Sequence, residues 1–135
     1  LIIGSVLVPG ASAPKLVTDQ MVQSMSEGTV LVDVAIDQGG CFETSRPTTH
    51  QDPYFELHGV VHYCVANMPG AVPKTSSAAL NHATLPFVLA IAEQGVVPAL
   101  KGDHHLRNGL ATFQGKLTSK AVAAAHQLPF DPPRV

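Results

Sequence analysis

The run Thr29-Val30-Leu31-Val32-Asp33-Val34-Ala35 constrains the fold of this chain most tightly. It is nearly continuous in apolar, mostly β-branched residues, whose stiff side chains favour an extended backbone. A strand with one wet face alternates polar and apolar residues; a continuous run indicates cover on both faces, as inside a parallel sheet. Leu1 to Val8 and Gly59 to Ala66 have the same character and read as the flanking strands. Thr18 to Met25, between the first two, reads as a short helix with Thr18 as N-cap and an exit at Glu27-Gly28. Alternating strand and helix patterns define an α/β class built on a parallel sheet.

Beyond Asn67-Met68-Pro69-Gly70 the pattern changes. Thr75 to Gln94 is rich in helix formers and exits at Gly95; unbroken, it would be about 30 Å long. Pro86 predicts a kink near His82 to Pro86. Apolar residues on more than one face predict cover from several sides, as for a helix crossing between domains. Val97 to Leu110 reads as one or two helical turns, Ala111 to Leu117 as a small hairpin turning at Gly115, and Thr118 to Gln127 as an Ala-rich helix capped by Thr118. The proline-rich segment 129–133 stops it. The expected division is a sheet domain over 1–70 and a helical segment over 71–135.

With 135 residues, 45% of them hydrophobic, the chain can bury a core. A charged fraction of 13% and a net charge of -2 argue against nucleic acid as a partner. The longest apolar runs are too short to span a membrane, and the N-terminus lacks the basic region of a signal peptide, so the expected location is the cytoplasm. The sequence opens on strand residues without Met, as in a chain entered midway. Cys41 and Cys64 are expected as free thiols.

Ligands of open parallel sheets collect where loops leave the carboxyl ends of the strands. Three such loops carry glycine: Pro9-Gly10-Ala11, Asp37-Gln38-Gly39-Gly40 and Asn67-Met68-Pro69-Gly70. They resemble the second half of a dinucleotide-binding sheet, although the glycine fingerprint that opens such folds is absent from these residues. Asp37 is the sharpest candidate, since a carboxylate at a strand end can bond a ribose, orient a water or hold an amine; capping a turn is the alternative. Arg46 either binds an anion or pairs with Glu43, and the pair is preferred. None of the seven histidines has a zinc-ligand spacing, and the adjacent His104 and His105 would point apart on a helix, so no metal is expected. His62 and His82 are expected to be packed or hydrogen-bonded, His50, His58 and His126 solvated. Thr75, Ser76 and Ser77 are placed as helix caps. No nucleophile triad or P-loop is present in these residues.

Three segments carry a family likeness: "VLVPGASAPKLVT" (6–18), "VDVAIDQGGCFETSRPTTH" (32–50) and "GVVHYCVANMPGAVPKTSSAAL" (59–80). They resemble the C-terminal part of bacterial alanine dehydrogenases. The likeness covers nearly the whole chain, and the run Cys64 to Gly70 favours these enzymes over the related nucleotide-binding subunit of transhydrogenase. The resemblance implies the C-terminal half of a Rossmann-like sheet domain, followed by a long domain-crossing helix and small C-terminal helices. It implies NAD as cofactor and reversible oxidative deamination of L-alanine to pyruvate and ammonia. Val6, Leu7, Val34, Ala35, Ile36, Asp37, Arg46, Val65, Ala66, Asn67 and Met68 fall on cofactor-binding positions. Asp37 falls on the catalytic acid, and Asn67 also faces substrate. The family's diphosphate loop, its substrate-binding Arg and Lys and its catalytic His belong to the N-terminal half, so this chain alone is expected to be inactive. A homo-oligomer, hexameric in many relatives, is implied for the full length. The alternative is a non-catalytic nucleotide-binding module, transhydrogenase-like or the remnant of a gene.

Overall fold

A computed structural model describes residues 1–134. The chain divides into two compact units, Leu1–Ala71 and Val72–Val135.

The first unit is built on a four-stranded sheet. Strands β1 (Ile2–Gly4), β2 (Val30–Asp33), β3 (Tyr54–Leu57) and β4 (Val60–Tyr63) lie in the order β1-β2-β4-β3. β1, β2 and β4 run parallel, with Ile3 opposite Val32 and Leu31 opposite His62. β3 is antiparallel to β4, and Leu57 and Val60 flank a two-residue turn. In that turn His58 and Gly59 both have positive φ, 55° and 72°, as tight hairpin connections require. Sequence reasoning assigned no strand to β3, because His-Gly is a weaker turn signal than Asn-Gly and Pro53 precedes the run.

Helix α1 (Asp19–Gln23) returns from β1 to β2. Its cap is the expected one: the Thr18 hydroxyl accepts the Met21 N–H at 3.2 Å. Val22 turns inward onto a core of Ala13, Leu31, Ala35, Cys41, Phe42 and Val60. β1 passes so close to this core that a Cβ on Gly4 would sit 2.7 Å from Phe42 and run into the Cys41 sulfur.

All three parallel strands are shorter than their apolar runs predict, β4 stopping at Tyr63 short of the expected Ala66. β1 stops at Gly4, leaving Ser5 to Val8 outside the ladder, and β2 stops at Asp33, where Val34–Gln38 coils into a 3-10 turn ended by Gly39. The apolar side chains beyond both ends line a groove instead of continuing a strand.

The second unit is helical. α2 (Pro73–Gln94) runs uninterrupted through Pro86 and ends at Gly95, which has φ 80°. It opens with Pro at the first helical position, where a missing N–H costs nothing, and Val72 gives no side-chain cap; Thr75, Ser76 and Ser77 therefore lie inside the helix, not at its cap. None of its residues is buried, contrary to the expected cover, and His82 is exposed where packing was expected. α3 (Val96–Gly102) and α4 (His104–Asn108) follow, and the Asp103 carboxylate caps α4 through the His105 and Leu106 N–H groups at 2.8 and 3.2 Å. The His104 and His105 rings do not point apart; their centroids are 3.8 Å apart at the start of this five-residue helix, where the first turn leaves both rings free to fold together. β5 (Thr112–Phe113) and β6 (Lys116–Leu117) form the expected small hairpin, with Gln114 and Gly115 in its turn. In α5 (Lys120–His126) the cap is Ser119, not Thr118; the Thr118 hydroxyl instead donates to the Leu110 carbonyl at 2.8 Å.

Candidate functional site

β1, β2 and β4 are parallel, so their carboxyl ends share one edge of the sheet. There Ser5, Val6, Leu7, Val34, Ala35, Asp37 and Gln38 line an open groove of about 290 Å³. Its walls are apolar and accessible: Leu7 is 73% and Val34 46% exposed.

The loop forming one wall is fastened from below by Asp33. This carboxylate is fully buried and accepts the Cys41 N–H at 2.9 Å, the Ser45 hydroxyl at 2.5 Å and, more weakly, the Phe42 N–H at 3.4 Å. A buried charge is tolerable when hydrogen-bonded in this way. The approach depends on Gly40: its φ is 75°, and a Cβ there would stand 2.8 Å from Asp33 Oδ2. From the side, Lys15 Nζ donates to the carbonyls of Gly39, Gly40 and Phe42 at 2.5, 2.9 and 3.3 Å. Asp33, Lys15 and Ser45 escaped sequence reasoning. An acid inside an otherwise apolar strand run was the available signal for Asp33.

Held by this frame, the 3-10 turn presents Asp37 exposed at the groove. Asp37 Oδ1 accepts the Asn67 N–H at 3.3 Å, which brings the corner after β2 to the corner after β4. Among the described residues Oδ2 of Asp37 has no partner. Asn67 has a left-handed backbone, φ 54°, and its carbonyl accepts from His50 Nε2 at 3.0 Å.

The sequence candidates separate by position. Val6, Leu7, Val34, Ala35 and Asp37 line the groove, with the buried Ile36 behind them. Ala66 and Asn67 are exposed and Met68 is half-buried at the adjoining corner. Val65 is fully buried, so its side chain belongs to the core. Arg46 makes no pair with Glu43: its guanidinium lies 4.0 Å over the Phe55 ring, while the Glu43 carboxylate accepts the Asp19 N–H at 2.7 Å. The aromatic face competes well for a planar cation at the surface.

His62 is buried as expected. The Val60 carbonyl accepts from Nδ1 at 2.9 Å, Nε2 meets the Thr44 hydroxyl at 2.8 Å, and the ring stacks on Phe55 at 4.7 Å. Burial pushes its pKa down, keeping it neutral. Cys41 and Cys64 are both buried free thiols, and burial raises both pKa values, with the Asp33 charge adding to the rise. Among the described residues no three His, Cys, Asp or Glu side chains group to hold a metal, and no helix is long and apolar enough to cross a membrane.

Parallel strands sending glycine-containing loops to one edge, beside an apolar groove with a carboxylate at its mouth, define the class of Rossmann-like α/β domains. Residues 1–120 match the family described as alanine dehydrogenase/PNT, C-terminal domain. The chain belongs to that family. It is 62% identical to an alanine dehydrogenase of Halomonas elongata and 59% identical to one of Mycolicibacterium smegmatis, each match covering 96% of this chain and 35% of the relative. The chain thus spans about a third of the length of these relatives. Among solved structures it is similar to an L-alanine dehydrogenase, with TM-score 0.75 and 51% identity over 93% of this chain and 34% of that one. A transhydrogenase from Sinorhizobium meliloti matches with TM-score 0.62 and 27% identity over 78% of this chain and 28% of that one.

Proposed function

We propose that this chain supplies the nicotinamide-side wall and the catalytic carboxylate of an NAD-dependent L-alanine dehydrogenase, an oxidoreductase that converts L-alanine reversibly to pyruvate and ammonia. The observation that carries the reading is the 3.3 Å contact between Asp37 Oδ1 and the Asn67 N–H beside the apolar groove. It joins the two segments whose residues the family resemblance assigns to cofactor and substrate.

The groove fits part of the proposed cofactor. Its volume of about 290 Å³ lies near the lower bound of small-molecule sites, about 300 Å³, which suits a flat ring and its sugar better than a whole dinucleotide. Val6, Leu7, Val34 and Ala35 would hold one face of that ring and exclude water from it, and Ala66, Asn67 and Met68, at the adjoining corner, would approach its far side. Bound NAD would accept the hydride from the amino-acid carbon. The chain's own work is position and charge. Asp37, with Oδ1 held by Asn67 and Oδ2 unpartnered, is free to hold a substrate ammonium group, orient water and carry a proton. Asn67 offers its side-chain amide to the substrate. Arg46, engaged with Phe55, would reach an anionic part of the cofactor only by leaving that ring.

The test is a chimaera in which this chain replaces the matching segment of the Halomonas elongata enzyme. NADH formation dependent on L-alanine is the expected result. A folded chimaera that binds NADH yet forms none would overturn the dehydrogenase reading and favour a non-catalytic nucleotide-binding module.

A further inference from the structure

The Asn67 peptide is gripped from both ends by side chains of different segments. Its N–H is donated to Asp37, from the turn after β2; its carbonyl accepts from His50, from the loop that leads to β3. A carbonyl only accepts, so His50 Nε2 carries the proton. Asn67 adopts φ 54°, a left-handed conformation that asparagine tolerates better than other side-chain-bearing residues, and these two contacts fix the corner in it. Gly70 closes the corner tightly: a Cβ on it would lie 3.1 Å from Asn67 Nδ2 and 3.3 Å from His50 Nε2. The backbone around His50 is itself tied, because Thr49 N–H donates to the Asp52 carbonyl at 3.2 Å and Asp52 N–H to the Thr49 hydroxyl at 3.1 Å.

We propose that His50 is a positioning residue for the reaction, holding Asn67 in the orientation that Asp37 and the groove require. This role rests on the dehydrogenase reading given above. His50 touches neither cofactor nor substrate in it; the residue acts through the Asn67 carbonyl. An exposed histidine looks dispensable by burial alone, yet this one ties down the corner beside the catalytic carboxylate.

The alternative is that His50 merely stiffens its own loop, and a control separates the two. In the chimaera, His50→Ala removes the donor to Asn67, His50→Gln keeps an N–H near the same place, and Thr49→Ala loosens the same loop without touching Asn67. One net hydrogen bond corresponds to an expected fall of about two- to tenfold in kcat/KM for L-alanine with His50→Ala. His50→Gln should recover most of that loss, and Thr49→Ala, which leaves the bond from His50 to Asn67 in place, should cost less than His50→Ala. An active parent whose His50→Ala variant matches it, or whose Thr49→Ala variant falls as far, would overturn the positioning role and leave the dehydrogenase reading standing. A folded parent chimaera that binds NADH yet forms none from L-alanine would overturn both.

Discussion

Replacing Asp33 with Ala should cost this chain a large share of its stability. The carboxylate is fully buried, and its loss orphans the Cys41 N–H, fully buried at 2.9 Å, together with the weaker Phe42 N–H at 3.4 Å. The Ser45 hydroxyl, which donates to Asp33, is half-buried and can turn its O–H toward water, so it loses less. An orphaned buried donor costs about 1–3 kcal/mol, and removing one side of a buried charged network about 3–5 kcal/mol. Relief of the carboxylate's own desolvation works the other way, and a water entering the vacated space would satisfy part of the loss. The expected net is about 3 kcal/mol, a large share of the roughly 5–15 kcal/mol that holds a domain together. Asp33→Asn keeps the volume and one acceptor but turns an amide donor toward other donors, so its cost should fall between. Urea unfolding of the chain followed by far-UV circular dichroism reads all three. An Asp33→Ala midpoint matching the parent would show that the network is dispensable and that Lys15 alone secures the loop.

Other consequences follow from neighbouring groups. Gly40→Ala combines a positive φ with contacts of 2.8 Å to Asp33 and 2.9 Å to Ser45, whereas Gly39→Ala has positive φ and open space; the first should destabilise by about 2–4 kcal/mol and the second by about 1 kcal/mol in the same assay. His62 has a depressed folded-state pKa, so below about pH 6.5 the unfolded chain binds a proton that the folded chain refuses. Stability should therefore be full above that pH and fall as acid is added, levelling once the folded pKa is passed, and His62→Gln should flatten this slope in a pH series of melts. Cys41 and Cys64, with raised pKa values and buried sulfurs, should resist a thiol reagent in the native chain and both react in denaturant; fast labelling of either in native buffer would contradict their burial.

The ordering of elements was legible because β-branched runs, a Thr18 cap and an exit at Gly95 are local signals, whereas the helix expected to leave at Glu27-Gly28 already ends at Gln23 with Ser24 as its C-cap. The strand ends were not legible: Val6, Leu7 and Val34 wall a groove, and apolarity alone does not distinguish a wall from a strand. The same ambiguity explains α2, whose all-round apolar surface predicted cover that this chain does not supply. Asp37 stood out as an acid before two glycines. Asp33 did not, since its partners lie eight to twelve residues away and are brought to it only by the loop's fold. Arg46 was drawn to the wrong neighbour because Glu43 is close in sequence, while Phe55 arrives only through the unread strand β3.

The account turns on whether the Asp37 carboxylate takes part in the chemistry or only fastens a turn. Comparing Asp37→Asn with the parent in the chimaera, by NADH absorbance and by NADH binding in parallel, addresses this directly. Loss of a general acid–base group predicts a kcat lower by about 100- to 10,000-fold with NADH affinity changed little. An Asp37→Asn chimaera that turns over L-alanine at the parent rate would reduce this residue to a structural bond with Asn67 and remove the proposed centre of the site.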